Sequence, residues 1–185
     1  MIGILDNEER RIRDFTKYAG DILPEKKIRE LAETGYFYLP ASILYHGQQK
    51  GDLYLHSKTV ATLLEELTER NGLTWQRPQS PRIIGLFHDL CKTQEYEWYK
   101  ACGAEDKVSF HKRLDILLPG HGEKSVQIAQ KFVDMTDEEM FCIRYHMGAF
   151  EGKDVWKYLE RAAAKYPNIL WTAHADLMAA WICKV

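Results

Sequence analysis

Hydrophobic positions recur at helical spacing along most of this chain. The densest case is SPRIIGLFHDLCK, residues 80–92. Ile83, Ile84, Leu86, Phe87 and Leu90 leave almost no polar face, which predicts a helix buried nearly all round. Ser80 is placed to cap it and Pro81 suits its first position. Residues 6–19 (DNEERRIRDFTKYA) read as a charged amphipathic helix stopped by Gly20, and Pro24 to Thr34 as a second, ended by Gly35. Asp52 to Arg70 predicts a long helix with a stripe of Leu53, Val60, Leu63, Leu64 and Leu67, ended by Asn71-Gly72.

In the second half, GHGEKSVQIAQKFVDM predicts a helix with Val126, Ala129 and Val133 inward. Thr136-x-x-Glu139 is a capping box opening the next helix, which Gly148 stops. A last helix from about Asn168 presents Ile169, Ala173, Leu177 and Ala180 inward. Two stretches break the pattern. YFYLPASILYHGQQKGD is aromatic and turn-rich, a packed loop that carries His46. YEWYK and KVSFHK lean to strand and predict a short hairpin turning near Gly103, with His111 at the surface. The expected fold class is all-α with a minor β-hairpin, in one domain of residues 1–185. Residues 1–39 would form helices packed on a core of 40–183.

At 185 residues the chain is long enough to close a full core. A net charge of −2 gives no basic footprint for a long nucleic acid. No run approaches a membrane span, and MIGILDNEERR turns charged too early for a signal peptide, so the expected place is the cytoplasm. Cys91, Cys102, Cys142 and Cys183 form no CxxC pair and read as reduced thiols.

Taken singly, the histidines and aspartates of this chain have plain explanations. His56, on the stripe of the long helix, reads first as a satisfied core histidine; His46 reads as a local loop residue. The set is harder to dismiss. His56, His88-Asp89, His121, His146 and Asp176 fall on separate helices or helix mouths. An aspartate on a buried helix costs several kcal/mol unless compensated. Imidazoles and carboxylates converging from several helices make a transition-metal site in a bundle core, and six ligands fit two metals better than one.

The order H…HD…H…H…D resembles the HD-domain superfamily of metal-dependent phosphohydrolases, over roughly residues 40–180. PASILYHGQQKGDLYLHS, GLFHDLCK followed by Glu95, a hairpin and LPGHGEKS look like the branch with exoribonuclease-type and small stand-alone bacterial or phage members. Cys91 departs from the glycine usual in that motif and reads as a change in helix packing, not a ligand. The resemblance implies an HD-domain helical bundle with the hairpin inserted after the HD helix. His56, His88, Asp89 and Asp176 would hold one divalent transition metal (Fe, Mn, Ni, Co or Zn). Asp89 would bridge to a second, held by His121 and His146. A hydroxide bridging them would attack a phosphate ester, a nucleotide phosphodiester above all. Asp89 and Lys92 would be catalytic, Lys92 meeting phosphate oxygens, with Lys124 and Arg144 as further candidates. The substrate would be a small phosphorylated molecule, since no accessory nucleic-acid-binding domain is visible. The alternatives are a mononuclear HD nucleotidase, a di-iron oxygenase on the same ligands, and a non-catalytic binding protein.

Overall fold

A computed structural model describes residues 7–45, 47–100, 108–117 and 120–185. His46, Cys102 and the hairpin turn around Gly103 lie outside the described residues. The elements run α1 (Asn7–Ala19), α2 (Glu25–Glu33), α3 (Asp52–Asn71), α4 (Ser80–Phe87), a single turn α5 (Lys92–Glu95), β1 (Tyr96–Lys100), β2 (Val108–Lys112), α6 (His121–Ala129), α7 (Asp137–Arg144), α8 (Trp156–Lys165) and α9 (Asn168–Met178). A short 3-10 turn (Gly148–Phe150) follows α7 and a π-helical turn (Ala179–Cys183) follows α9. The chain is mostly helical, with one antiparallel two-stranded hairpin pairing Trp98 with Phe110. No helix among the described residues is long and apolar enough to cross a membrane.

The centre of the molecule is α4, buried along its length apart from Arg82, as its composition requires. It lies against α3, whose inward face carries Leu53, Val60, Ala61 and Leu64 together with His56 and Ser57. Helices α7 and α9 complete the core with Cys142, Ile143, Ile169 and Ala175. Phe15 of α1 joins Tyr36, Phe37 and Tyr54 in an edge-to-face aromatic cluster. The Tyr36 hydroxyl donates to the Leu86 carbonyl at 2.7 Å and ties that cluster to α4.

Helix starts follow local chemistry. The Thr136 side chain accepts from the Glu139 amide, and the Glu139 carboxylate accepts from the Thr136 amide at 2.8 Å. The same buried carboxylate accepts from Arg77 Nε and Nη2, each at 2.7 Å, and from the Ser80 hydroxyl at 2.7 Å. Ser80 therefore opens α4 by reaching Glu139 from the helix's first position, and Gln79 occupies the cap.

Three expectations are corrected. The helix around the His-Asp pair ends at Phe87, not Lys92. Beyond it the amides of Leu90, Lys92 and Thr93 bond three residues back, tightening the chain into successive turns. Leu177, expected inward, is exposed, while Thr172 and Ala175 take the buried face of α9. The last helix does not continue as α-helix but widens into the π turn at Ala179.

Two glycines set how closely the helices approach. A β-carbon on Gly85 would overlap the backbone of Ala61, so α4 can lie this near α3 only without a side chain there. A β-carbon on Gly122 would overlap the Arg144 carbonyl, at the crossing of α6 and α7. Gly85→Ala and Gly122→Ala are each expected to cost about 1–3 kcal/mol by overpacking, read as lowered midpoints in urea unfolding.

Candidate metal centre

Six side chains singled out in the sequence meet in one buried cluster. His56 comes from α3, His88 and Asp89 from the turns after α4, His121 from the first position of α6, His146 from the turn after α7, and Asp176 from α9. The Gly85 approach brings His56 and His88 together, with their Nε2 atoms 3.3 Å apart. The Gly122 approach brings the His121 and His146 rings to 5.1 Å.

Three imidazoles are oriented alike. His56 Nδ1 lies 2.9 Å from a main-chain oxygen of Val185, His88 Nδ1 2.8 Å from the carbonyl oxygen of Gly85, and His146 Nδ1 2.7 Å from that of Ile143. A main-chain oxygen can only accept, so each Nδ1 carries the proton and each Nε2 in the neutral ring turns a lone pair inward. Such an outer hydrogen bond fixes the tautomer of a metal-binding histidine.

Asp89 stands at the centre and its two oxygens divide the cluster. Oδ2 lies 3.6 Å from His56 Nε2 and 3.5 Å from His88 Nε2. Oδ1 lies 2.7 Å from His121 Nε2 and 3.7 Å from His146 Nε2. Asp176 closes the first side, with Oδ1 3.0 Å from His56 Nε2 and 3.6 Å from His88 Nε2. Donor atoms grouped within 4.8 Å of one another form three sets: His56, His88 and Asp176; His88, Asp89 and His146; Asp89, Cys91 and His121. These buried groups can hold metal ions.

His146 Nε2 tests that fit. It is buried, points at Asp89 and makes no hydrogen bond among the described residues. A buried imidazole nitrogen without a partner is costly. A cation on the Asp89 Oδ1 side would give it one.

Charge in the cluster is strongly coupled. Burial opposes ionisation of Asp89, but Lys92, His88 and His121 outweigh it and hold the carboxyl well below its ordinary range. Burial likewise opposes ionisation of Asp176, and His56 and His88 override it. His88 is raised because Asp89 and Asp176 overcome its burial, and His121 because Cys91 and Asp89 overcome its own. His146 goes the other way: burial, with His88 and His121 beside it, pushes it down to about 3.

Other sequence candidates are placed differently. The Lys92 ammonium is bonded to Asp89 Oδ2 and borders the cavity. Lys124, offered as a phosphate contact, is buried in an ion pair with Glu95 at 2.8 Å. Arg144, offered likewise, is held by Glu123 at 2.5 Å and Glu151 at 2.7 Å, away from the cavity wall. Cys91, read as a packing change, lies with its sulfur 3.0 Å from His121 Nδ1. The expected cue was absent because a thiol within an apolar run looks like one more core residue. His111 stays on the exposed hairpin opposite Glu97.

A cavity of about 650 Å³ opens onto the cluster. His56, Asp89, His121, His146 and Asp176 form its floor, Lys92 and Lys112 supply cations, and Tyr45, Phe150 and Trp181 stand at its largely exposed rim. Cys91, His121 and Asp89 form a thiol–imidazole–carboxylate series. The sulfur is nonetheless fully buried and absent from the cavity wall, so it is not placed to attack a bound substrate.

The charge pattern gives metal binding a definite pH dependence. Because neighbouring groups raise both His88 and His121, the metal-free cluster favours their protonated forms, and an entering cation must displace those protons. Affinity for a divalent metal is therefore expected to rise with pH from 6.5 upward until those raised values are passed. Calorimetry in two buffers of different ionisation enthalpy should register net proton release at pH 7.

No known protein-family model, curated protein or solved structure matches this chain.

Proposed function

We propose that this protein is a metal-dependent phosphohydrolase of the HD type, cleaving a phosphate ester of a small nucleotide-like substrate, a phosphodiester above all. The observation that carries the reading is the divided Asp89 carboxylate, with one oxygen facing His56 and His88 and the other facing His121 and His146. A carboxylate so placed suits two cations a few ångströms apart and offsets their repulsion. His56, His88 and Asp176 would hold one with Asp89; His121 and His146 would hold the other. Bound there, two divalent cations would supply Lewis acidity and an activated water to a phosphoryl centre.

The residues around the cluster suit the remaining tasks. Lys92, paired with Asp89 at the cavity edge, can meet a phosphate oxygen and neutralise charge developing there. Lys112 adds a second cation. Tyr45, Phe150 and Trp181 offer faces on which a planar base can stack. A cavity of about 650 Å³ is the size of a small-molecule site. An anionic substrate explains the two lysines, which a di-iron oxygenase acting on a neutral molecule would not need. The dinuclear reading is also favoured over a mononuclear nucleotidase, because His121 and His146 turn Nε2 toward Asp89 Oδ1, at 2.7 and 3.7 Å, instead of toward the cavity mouth.

The test combines metal analysis with a screen of mono- and diester phosphates under Mn and Fe. About two transition-metal ions per chain and cleavage of a diester are expected. His121→Ala should lose one metal and lower kcat at least about 100-fold, and Lys92→Ala should lower it by about 10²–10³ with both metals retained. Full activity in His121→Ala would sink the two-metal reading; oxygen uptake without phosphate release would favour the oxygenase.

A further inference from the structure

The ligand pattern legible in the sequence leaves out one donor of this cluster, the Cys91 sulfur. It is fully buried and lies 3.0 Å from His121 Nδ1 and 3.8 Å from His121 Nε2. The other three imidazoles hold a main-chain oxygen at Nδ1. The sulfur is near both nitrogens of its ring, so it is not simply an anchor behind that ring. Asp89, Cys91 and His121 each offer a donor atom within 4.8 Å of the other two. An independent observation points to the same place. His146 Nε2, buried and without a hydrogen bond, stands 3.7 Å from the Asp89 oxygen that His121 also faces.

A carboxylate oxygen, two imidazole nitrogens and a sulfur make a four-donor set of the kind that tetrahedral borderline metals take. We propose that Cys91 is a direct ligand of the second cation, completing with Asp89, His121 and His146 a mixed oxygen–nitrogen–sulfur site. This rests on the metal-centre reading above. The thiol gives its proton to solvent as the metal–sulfur bond forms. The His56, His88 and Asp176 side has no sulfur, so the two positions differ in softness. The sulfur position takes Zn, Co or Fe in preference to Mg or Mn.

Cobalt(II) tests this by colour, without any substrate. Titrated into the full chain, it is expected to produce an intense near-ultraviolet sulfur-to-cobalt charge-transfer band as the second position fills. Cys91→Ser should lose the band and, by competition with a chelator, bind the second ion at least about tenfold more weakly, while the first ion stays. A chain with Cys102, Cys142 and Cys183 all changed to Ser should keep the band, which decides the matter even if Cys91→Ser does not fold. Two bound cobalt ions with no such band in the wild type, or a band that survives in Cys91→Ser, overturns the sulfur ligand and leaves the metal centre standing. A wild-type chain that binds no cobalt overturns both.

Discussion

A carboxylate buried among four imidazoles and a lysine is the constraint on which the rest of this structure depends. Asp89 is almost fully enclosed, and an ion removed from water costs several kcal/mol in a real protein unless its surroundings compensate. Lys92 and the raised histidines supply that compensation in the metal-free chain. Asp89 thus organises its neighbours: α3 and α9 present His56 and Asp176 from within the helix, and α4, α6 and α7 present His88, His121 and His146 at or just beyond an end. The orientation is fixed from behind as well. Main-chain oxygens of Gly85, Ile143 and Val185 hold three rings so that their inner nitrogens converge. Such preorganisation is what a site needs if its ligands are not to be rearranged at each binding event.

Helix spacing supplies the second half of the explanation. Side chains as short as histidine and aspartate meet across helices only where backbones come close. Gly85 and Gly122 provide that closeness at the two crossings that matter, one for His56 with His88 and one for His121 with His146. The core packs around these crossings with large residues elsewhere, such as Phe87, Tyr54 and Leu64, so the glycines are local exceptions in an otherwise well-filled interior.

Much of this was legible in the sequence, for a physical reason. Helical periodicity places a residue on a face, and a charged or imidazole side chain on an apolar face needs a partner; that logic reached His56, Asp89 and Asp176, while His121 and His146 entered only through the order of the whole set. Hydrophobic runs located α3, α4, α6 and α9, and the Thr136 and Glu139 spacing marked the start of α7, while α8 was not assigned. What stayed hidden depends on contacts remote in sequence. Lys124 looked free until Glu95 was seen beside it, and Arg144 until Glu123 and Glu151 were. Periodicity says nothing about where a helix tightens, so the stop at Phe87 and the turns carrying His88 and Asp89 were not foreseen. Cys91 is apolar by composition and becomes a candidate donor only when His121 is folded over it.

The π-helical turn at Ala179–Cys183 joins three tasks within ten residues. Asp176 precedes it as a member of the cluster, Trp181 lies within it at the cavity rim, and Val185 follows with the main-chain oxygen that orients His56. Wall, donor and brace are strung on a single stretch of backbone. Lengthening or shortening that stretch by one residue would shift all three together, so the shape of the opening and the aim of a buried imidazole are not independently adjustable in this fold.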